Sequence, residues 1–174
     1  AVVYPHMNSI GGDGFWLIKK MDQSPVAISA CGPAAQQATP EWYEKKSYKS
    51  FLPTRGPLAA LTVPGTIAGW KLALELDNPK RAVPLNELLS AAVERAKNGV
   101  AVTKNQHETL AAKKHELVSV SGFKDFYLDK GHEPEVGSKL LQTKLGETLE
   151  HLGRAGLDDC LCCRVCGTSR SSHL

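Results

Sequence analysis

A glycine cluster, Ile10-Gly11-Gly12-Asp13-Gly14, separates the polar run His6 to Ser9 from the apolar run Phe15 to Ile18, and it constrains this chain more than any other segment. Gly11, Gly12 and Gly14 let the backbone take positive φ and lie against another segment more closely than a side chain would permit. The run that follows reads as a buried strand carrying Phe15 and Leu17. A nucleotide loop is excluded, because no Gly-Lys-Ser/Thr follows and the G-x-G-x-x-G spacing is absent.

A second segment, Thr62-Val63-Pro64-Gly65-Thr66-Ile67-Ala68-Gly69-Trp70, reads as a helix start. Pro64 pre-sets φ for the first turn and Thr62 is a candidate cap. Gly65 and Gly69, four apart, give a smooth helix face able to press on a sheet, although each costs on the order of 1 kcal/mol relative to Ala. Further on, Leu85, Leu88, Leu89, Ala92, Val93 and Ala96 form an apolar stripe at helical spacing, running from Pro84 to Asn98 and stopped by Gly99.

These three stretches resemble the gamma-glutamyltranspeptidase family. Its large subunit carries a P-x-x-x-G-I-G-G-x-x-F-W-L type segment, a V-P-G-T-x-A-G segment at a similar distance, and then P-L-x-E-L-L-x-x-A-I-x-x-A-x-x-G. The resemblance runs through most of residues 1 to about 159. It implies an N-terminal nucleophile hydrolase of the αββα sandwich type, made as a precursor that cleaves itself. The freed threonine of the small subunit then supplies a hydroxyl nucleophile and an amine base. In relatives that threonine lies downstream of the last matched segment, and none of Thr39, Thr62, Thr66 or Thr103 has the family's T-T/S-H-x-x-V-like setting. No catalytic residue is therefore expected within this chain, nor any cofactor. The implied partner is the small-subunit half of the precursor, with a small amide substrate bound only by the intact protein.

The same resemblance singles out Cys31 as a substrate-binding position. In gamma-glutamyltranspeptidases the second strand leads into a D-F-R-E-x-A-P-like segment whose arginine grips the α-carboxylate of the glutamyl donor. Aligned by Ala27-Ile28 and Ala38-Thr39, that position falls on Cys31, and a thiol cannot replace a bidentate guanidinium contact. The segment looks nearer the amidohydrolase branches that act on other acyl groups, such as oxamate. The bland alternative is a small buried residue closing the strand.

Composition bounds the rest. A 174-residue chain with 42% apolar and 22% charged residues is long enough for one ordinary globular domain. Its net charge of +3 is spread thinly, so no nucleic-acid footprint is expected. No apolar run approaches ~20 residues, so no membrane span is expected. The first residues do not read as a signal peptide. They correspond to the end of a helix in relatives, so an upstream strand and helix are expected to be missing.

Along the chain, Gly14 to Lys19 and Val26 to Ala30 read as a hairpin across Met21 to Pro25. Pro40 to Lys46 reads as a short helix capped by Thr39, and Ser47 to Pro57 as a loop. Thr103 with Gln106 is a capping box for another helix, and Phe123, Phe126 and Tyr127 anchor a short one before the Gly131 to Pro134 loop. Leu141, Leu145, Thr148, Leu149 and Leu152 form a last stripe, stopped by Gly156. Two or more strands followed by several helices give an α+β fold, and the family resemblance implies that it is part of an αββα sandwich.

Other chemistry is thin. His107-Glu108 lacks the second histidine of a zinc protease, and His107 and His115, two turns apart, are too distant for one metal; both read as surface polar residues. Glu75, Asp77, Glu87 and Glu94 read as solvated charges, and His6 as a structural hydrogen-bonding residue of its loop. The tail Cys160-Leu161-Cys162-Cys163-Arg164-Val165-Cys166, with His173, formally offers a zinc knuckle. No second ligand pair is held apart by a folded element, however, and no metal site is assigned. The family pattern, which continues D-D-F-Y-x-G, stops at Asp159. Residues 1–159 therefore read as a partial large-subunit region, and 160–174 as an unrelated Cys/Ser/Arg-rich tail from a frame shift or alternative splice. Five cysteines, an odd number with four of them between residues 160 and 166, make no disulfide framework, and the compartment is left open. The alternatives are a non-enzymatic or partner-binding α+β fragment and, more remotely, a small zinc-binding protein.

Overall fold

A computed structural model describes residues 1–76 and 83–162; Asp77, Lys80 and Arg81 lie outside them, as do Cys163, Cys166 and His173 of the tail. The first layer is an antiparallel hairpin of β1 (Gly14–Ile18) and β2 (Val26–Ala30), with Gly14 opposite Ala30 and Ile18 opposite Val26. A short helix α1 (Pro40–Glu44) follows, its Trp42 N–H donating to Thr39 Oγ1 at 3.2 Å as the sequence predicts. After the 3-10 turn Pro57–Ala59 comes α2 (Thr66–Glu75).

Period-two alternation sends Gly14, Trp16 and Ile18 toward α2 and Phe15 and Leu17 the other way. Phe15 and Leu17 are 73% and 78% exposed, so they are not the buried positions of this strand. An apolar residue at every position hides which face is covered. The glycine cluster also departs from expectation, because none of Gly11, Gly12 and Gly14 has positive φ.

The second layer is helical: α3 (Leu85–Asn98), α4 (Lys104–Leu117), α5 (Phe123–Tyr127), α6 (Thr143–Ala155) and α7 (Leu157–Cys162). A two-residue ladder joins β3 (Val100–Ala101) to β4 (Lys139–Leu140). The α3 stripe buries Leu89 and Ala96, half-buries Leu85, Ala92 and Val93, and leaves Leu88 exposed. It packs antiparallel on α6, whose Leu149 and Leu152 close a core completed by Val2, Ile67 and Leu157. Two α6 glycines allow the approach: a Cβ on Gly153 would lie 3.1 Å from Asn86 Cα, and one on Gly146 2.9 Å from Lys97 Cγ. Leu141 precedes the helix and is exposed, so the last stripe begins at Leu145. Gly99 and Gly156, at φ of 89° each, end α3 and α6 where the sequence predicts.

The Thr103 cap forms, with Gln106 N–H donating to its Oγ1 at 3.1 Å. The Gln106 side chain is buried and its Nε2 has no partner, so it is a core residue as well as part of a cap. The mixture of small sheets and packed helices is an α+β fold. No helix among the described residues is long and apolar enough to cross a membrane.

Candidate functional site

The two motifs that carry the family resemblance meet in space. The Gly12 carbonyl accepts from the N–H groups of Gly65 and Thr66, each at 3.0 Å, and from Thr66 Oγ1 at 2.8 Å. This carbonyl caps the N-terminus of α2, so the helix starts at Thr66 with Gly65 as its N-cap. Pro64 and Thr62 do not open it, and Thr62 instead forms a bridge with Ala34. An acceptor supplied from 53 residues upstream replaces the local cap that the sequence suggested.

The loop after β2 is pressed into the same seam. A Cβ on Gly32 would lie 1.7 Å from Val63 O, one on Gly65 2.1 Å from Ala30 O, and one on Gly69 2.7 Å from Ala30 Cβ. Val63 N–H donates to Pro33 O at 2.9 Å and Ala35 N–H to Leu61 O at 2.8 Å. The close approach expected of the first glycine cluster is thus made by Gly32, Gly65 and Gly69. Cys31 sits between the buried Ala30 and the wedged Gly32, and is itself exposed, with Ser29 Oγ 3.7 Å from its Sγ. The reading of Cys31 as a buried strand-closing residue is therefore corrected: its backbone is fixed while its thiol faces solvent.

Three other elements hold the segment that leads into Gly12, and sequence reasoning identified none of them. Gln142 Nε2 donates to Val2 O at 2.6 Å from a fully buried position, and Tyr127 Oη donates to Pro5 O at 3.0 Å. Burial raises the Tyr127 phenol above its ordinary value. Asn105 Oδ1 receives Tyr4 Oη at 2.7 Å and lies 2.8 Å from His6 Nε2, which gives His6 the structural role expected of it. These contacts join residues about a hundred apart or more, and nothing local in the sequence signals them.

The remaining candidates stay apart. His107 Nδ1 lies 2.9 Å from Pro134 O, half-buried, and His115 is exposed beside Glu116. Glu75 pairs with Lys71 at 3.8 Å on the surface. No three His, Cys, Asp or Glu side chains gather as a metal site among the described residues.

Comparison with known proteins agrees with this geometry. Residues 1–160 match the gamma-glutamyltranspeptidase family. The oxamate amidohydrolase proenzyme of Klebsiella pneumoniae is 45% identical over 160 residues, 91% of this chain and 30% of that protein. The glutathione hydrolase proenzyme of Escherichia coli is 28% identical over 168 residues, 91% of this chain and 27% of the relative. Among solved structures, the gamma-glutamyltranspeptidase of Helicobacter pylori superposes with a TM-score of 0.74 at 28% identity, covering 89% of this chain and 44% of that one. The chain thus spans about a third or less of the curated relatives it matches. Its two glycine-bearing motifs pack together as one seam, its fold follows solved gamma-glutamyltranspeptidases, and the chain belongs to the gamma-glutamyltranspeptidase family.

Proposed function

We propose that residues 1–159 are part of the large subunit of a precursor whose intact form hydrolyses or transfers an amide-bonded acyl group, and that the 174-residue chain alone turns over no amide. The 45% identity to a protein named an oxamate amidohydrolase proenzyme carries this reading. The nucleophilic threonine would come from the small-subunit half, without which no acyl intermediate forms. The exposed hairpin face of Phe15 and Leu17 supports such a partner, since contiguous exposed apolar surface marks interaction sites. Residues 160–174 are read as a tail foreign to the family pattern.

Cys31 sets the acyl preference. A cysteine beside the wedged Gly32 gives the α-carboxylate of a gamma-glutamyl donor no cation to bind. Losing a charge-assisted contact costs about 1.5 to 3 kcal/mol, or roughly ten- to over a hundredfold in affinity. Purified chain is expected to show no turnover of gamma-glutamyl anilide or oxamate above a heat-killed control. The chain extended through the small subunit is expected to prefer oxamate, and Cys31→Arg to improve gamma-glutamyl turnover. Activity of the 174-residue chain, or strong gamma-glutamyl transfer by the Cys31 form that Cys31→Arg does not improve, overturns the reading.

A further inference from the structure

Between α1 and the segment Tyr48 to Leu52 lies a cleft of about 360 Å³, the size of a small organic ligand site. Its floor is the buried ring of Tyr43, and Tyr48 and the 86% exposed Phe51 line it as well. The shape is set in advance. Tyr43 Oη donates to Leu58 O at 2.8 Å, Tyr48 N–H donates to Tyr43 O at 3.0 Å, and Ser47 turns the chain with φ of 72°. Farther along, Arg55 Nε meets Glu116 Oε2 at 2.6 Å and ties the segment to α4.

The polar groups in this lining are unequal. Lys49 Nζ, Ser50 Oγ and Tyr48 Oη have no hydrogen-bond or ion-pair partner among the described residues, and neither does the Glu44 carboxylate. The Tyr48 and Ser50 hydroxyls donate or accept as needed, so charge decides: Lys49, with Lys45 and Lys46 near it in the chain and Lys46 Nζ 4.8 Å above the Trp42 ring, outweighs Glu44. That balance suits an anion whose apolar body lies on aromatic rings.

We propose that this cleft binds a small carboxylic acid with an aromatic or branched aliphatic body, its carboxylate held at Lys49, Ser50 and Tyr48 and its body against Tyr43 and Phe51. The site does not depend on the reaction proposed above, so either stands if the other fails. The test is calorimetric titration and ligand-observed NMR of the 174-residue chain with phenylacetate, using benzylamine as a cationic probe of similar shape. Saturable phenylacetate binding is expected, weakened about tenfold or more by Lys49→Met, weakened also by Phe51→Ser, and unchanged or tightened by Glu44→Gln. All three positions are exposed, and circular dichroism checks that each variant keeps its fold. Absence of saturable phenylacetate binding, benzylamine binding as tight or tighter, or indifference to Lys49→Met overturns the proposal.

Discussion

The helical layer and the hairpin layer are held by different means. In α3 and α6 the contact is made by side chains, with Leu89, Ala96, Leu149 and Leu152 closing a core from which water is excluded. In the seam of Gly32 and Gly65, backbone meets backbone at distances where a single Cβ has no room, while Phe15 and Leu17 stay in water on the far face. The contact between α3 and α6 is closed, whereas the hairpin is well fixed on one side and open on the other. Side-chain cores respond to mutation in proportion to the volume removed, but a backbone seam fails at the first added methyl group.

The largest expected effect tests the closed layer. Leu152 is fully buried at the centre of the α3 and α6 contact, so Leu152→Ala should cost about 2 to 5 kcal/mol through lost transfer energy and a residual cavity. Urea denaturation followed by circular dichroism measures it. A loss below about 1 kcal/mol would show that this core is no more closed than the hairpin.

The second test breaks the seam. Gly32→Ala places a Cβ 1.7 Å from the Val63 carbonyl oxygen, which has no flexible side chain to yield, and should cost about 1 to 3 kcal/mol or more. Gly14→Ala is the counterpart, since its Cβ would meet Thr66 Cα at an ordinary 3.6 Å and its φ is not positive. It should change stability by less than about 0.5 kcal/mol. Equal effects of the two variants would remove the distinction between a close seam and a merely glycine-rich loop.

What the sequence could show divides along the same line. The α3 and α6 stripes, their Gly99 and Gly156 stops, and the Thr39 and Thr103 caps were all legible, because each depends on residues within a few positions of one another. The start of α2 was misplaced by two residues because its cap is the Gly12 carbonyl, which no window around Pro64 contains. The exposure of Phe15 and Leu17 was hidden for a different reason: a strand that is apolar on both faces gives no alternation to read, and only α2 decides which side is covered. Cys31 came to notice through resemblance, and its solvent exposure between two constrained neighbours was not legible at all. The clamps at Gln142, Tyr127 and Asn105 are tertiary, so propensity and spacing are silent about them.

The smallest expected effect concerns the contact between the loop that borders the cleft and the helical layer. The hydrogen bond from Lys113 is the chief cause that lowers the Glu116 carboxyl below its ordinary value, followed by attraction to Lys113, Arg55 and His115. Its own backbone hydrogen bond and Lys114 lower Glu133 in the same direction. A carboxyl whose folded value is depressed stabilises the fold above its unfolded value of about 4.3, and that contribution is lost as pH falls through the folded value. The groups are near the surface, so the contribution is modest and shrinks with added salt. The 15N heteronuclear NOE of residues 49–56 should therefore fall as pH drops below about 4, because protonated Glu116 no longer holds Arg55. The α3 and α6 core, which owes its closure to apolar contact, should keep its rigidity over the same range. In Glu116→Gln the loop should already be more mobile at neutral pH and lose most of its pH dependence. Loop NOE values that are the same at pH 7 and pH 3 would mean that the aromatic contacts of Tyr43 and Tyr48, rather than this ion pair, fix the loop.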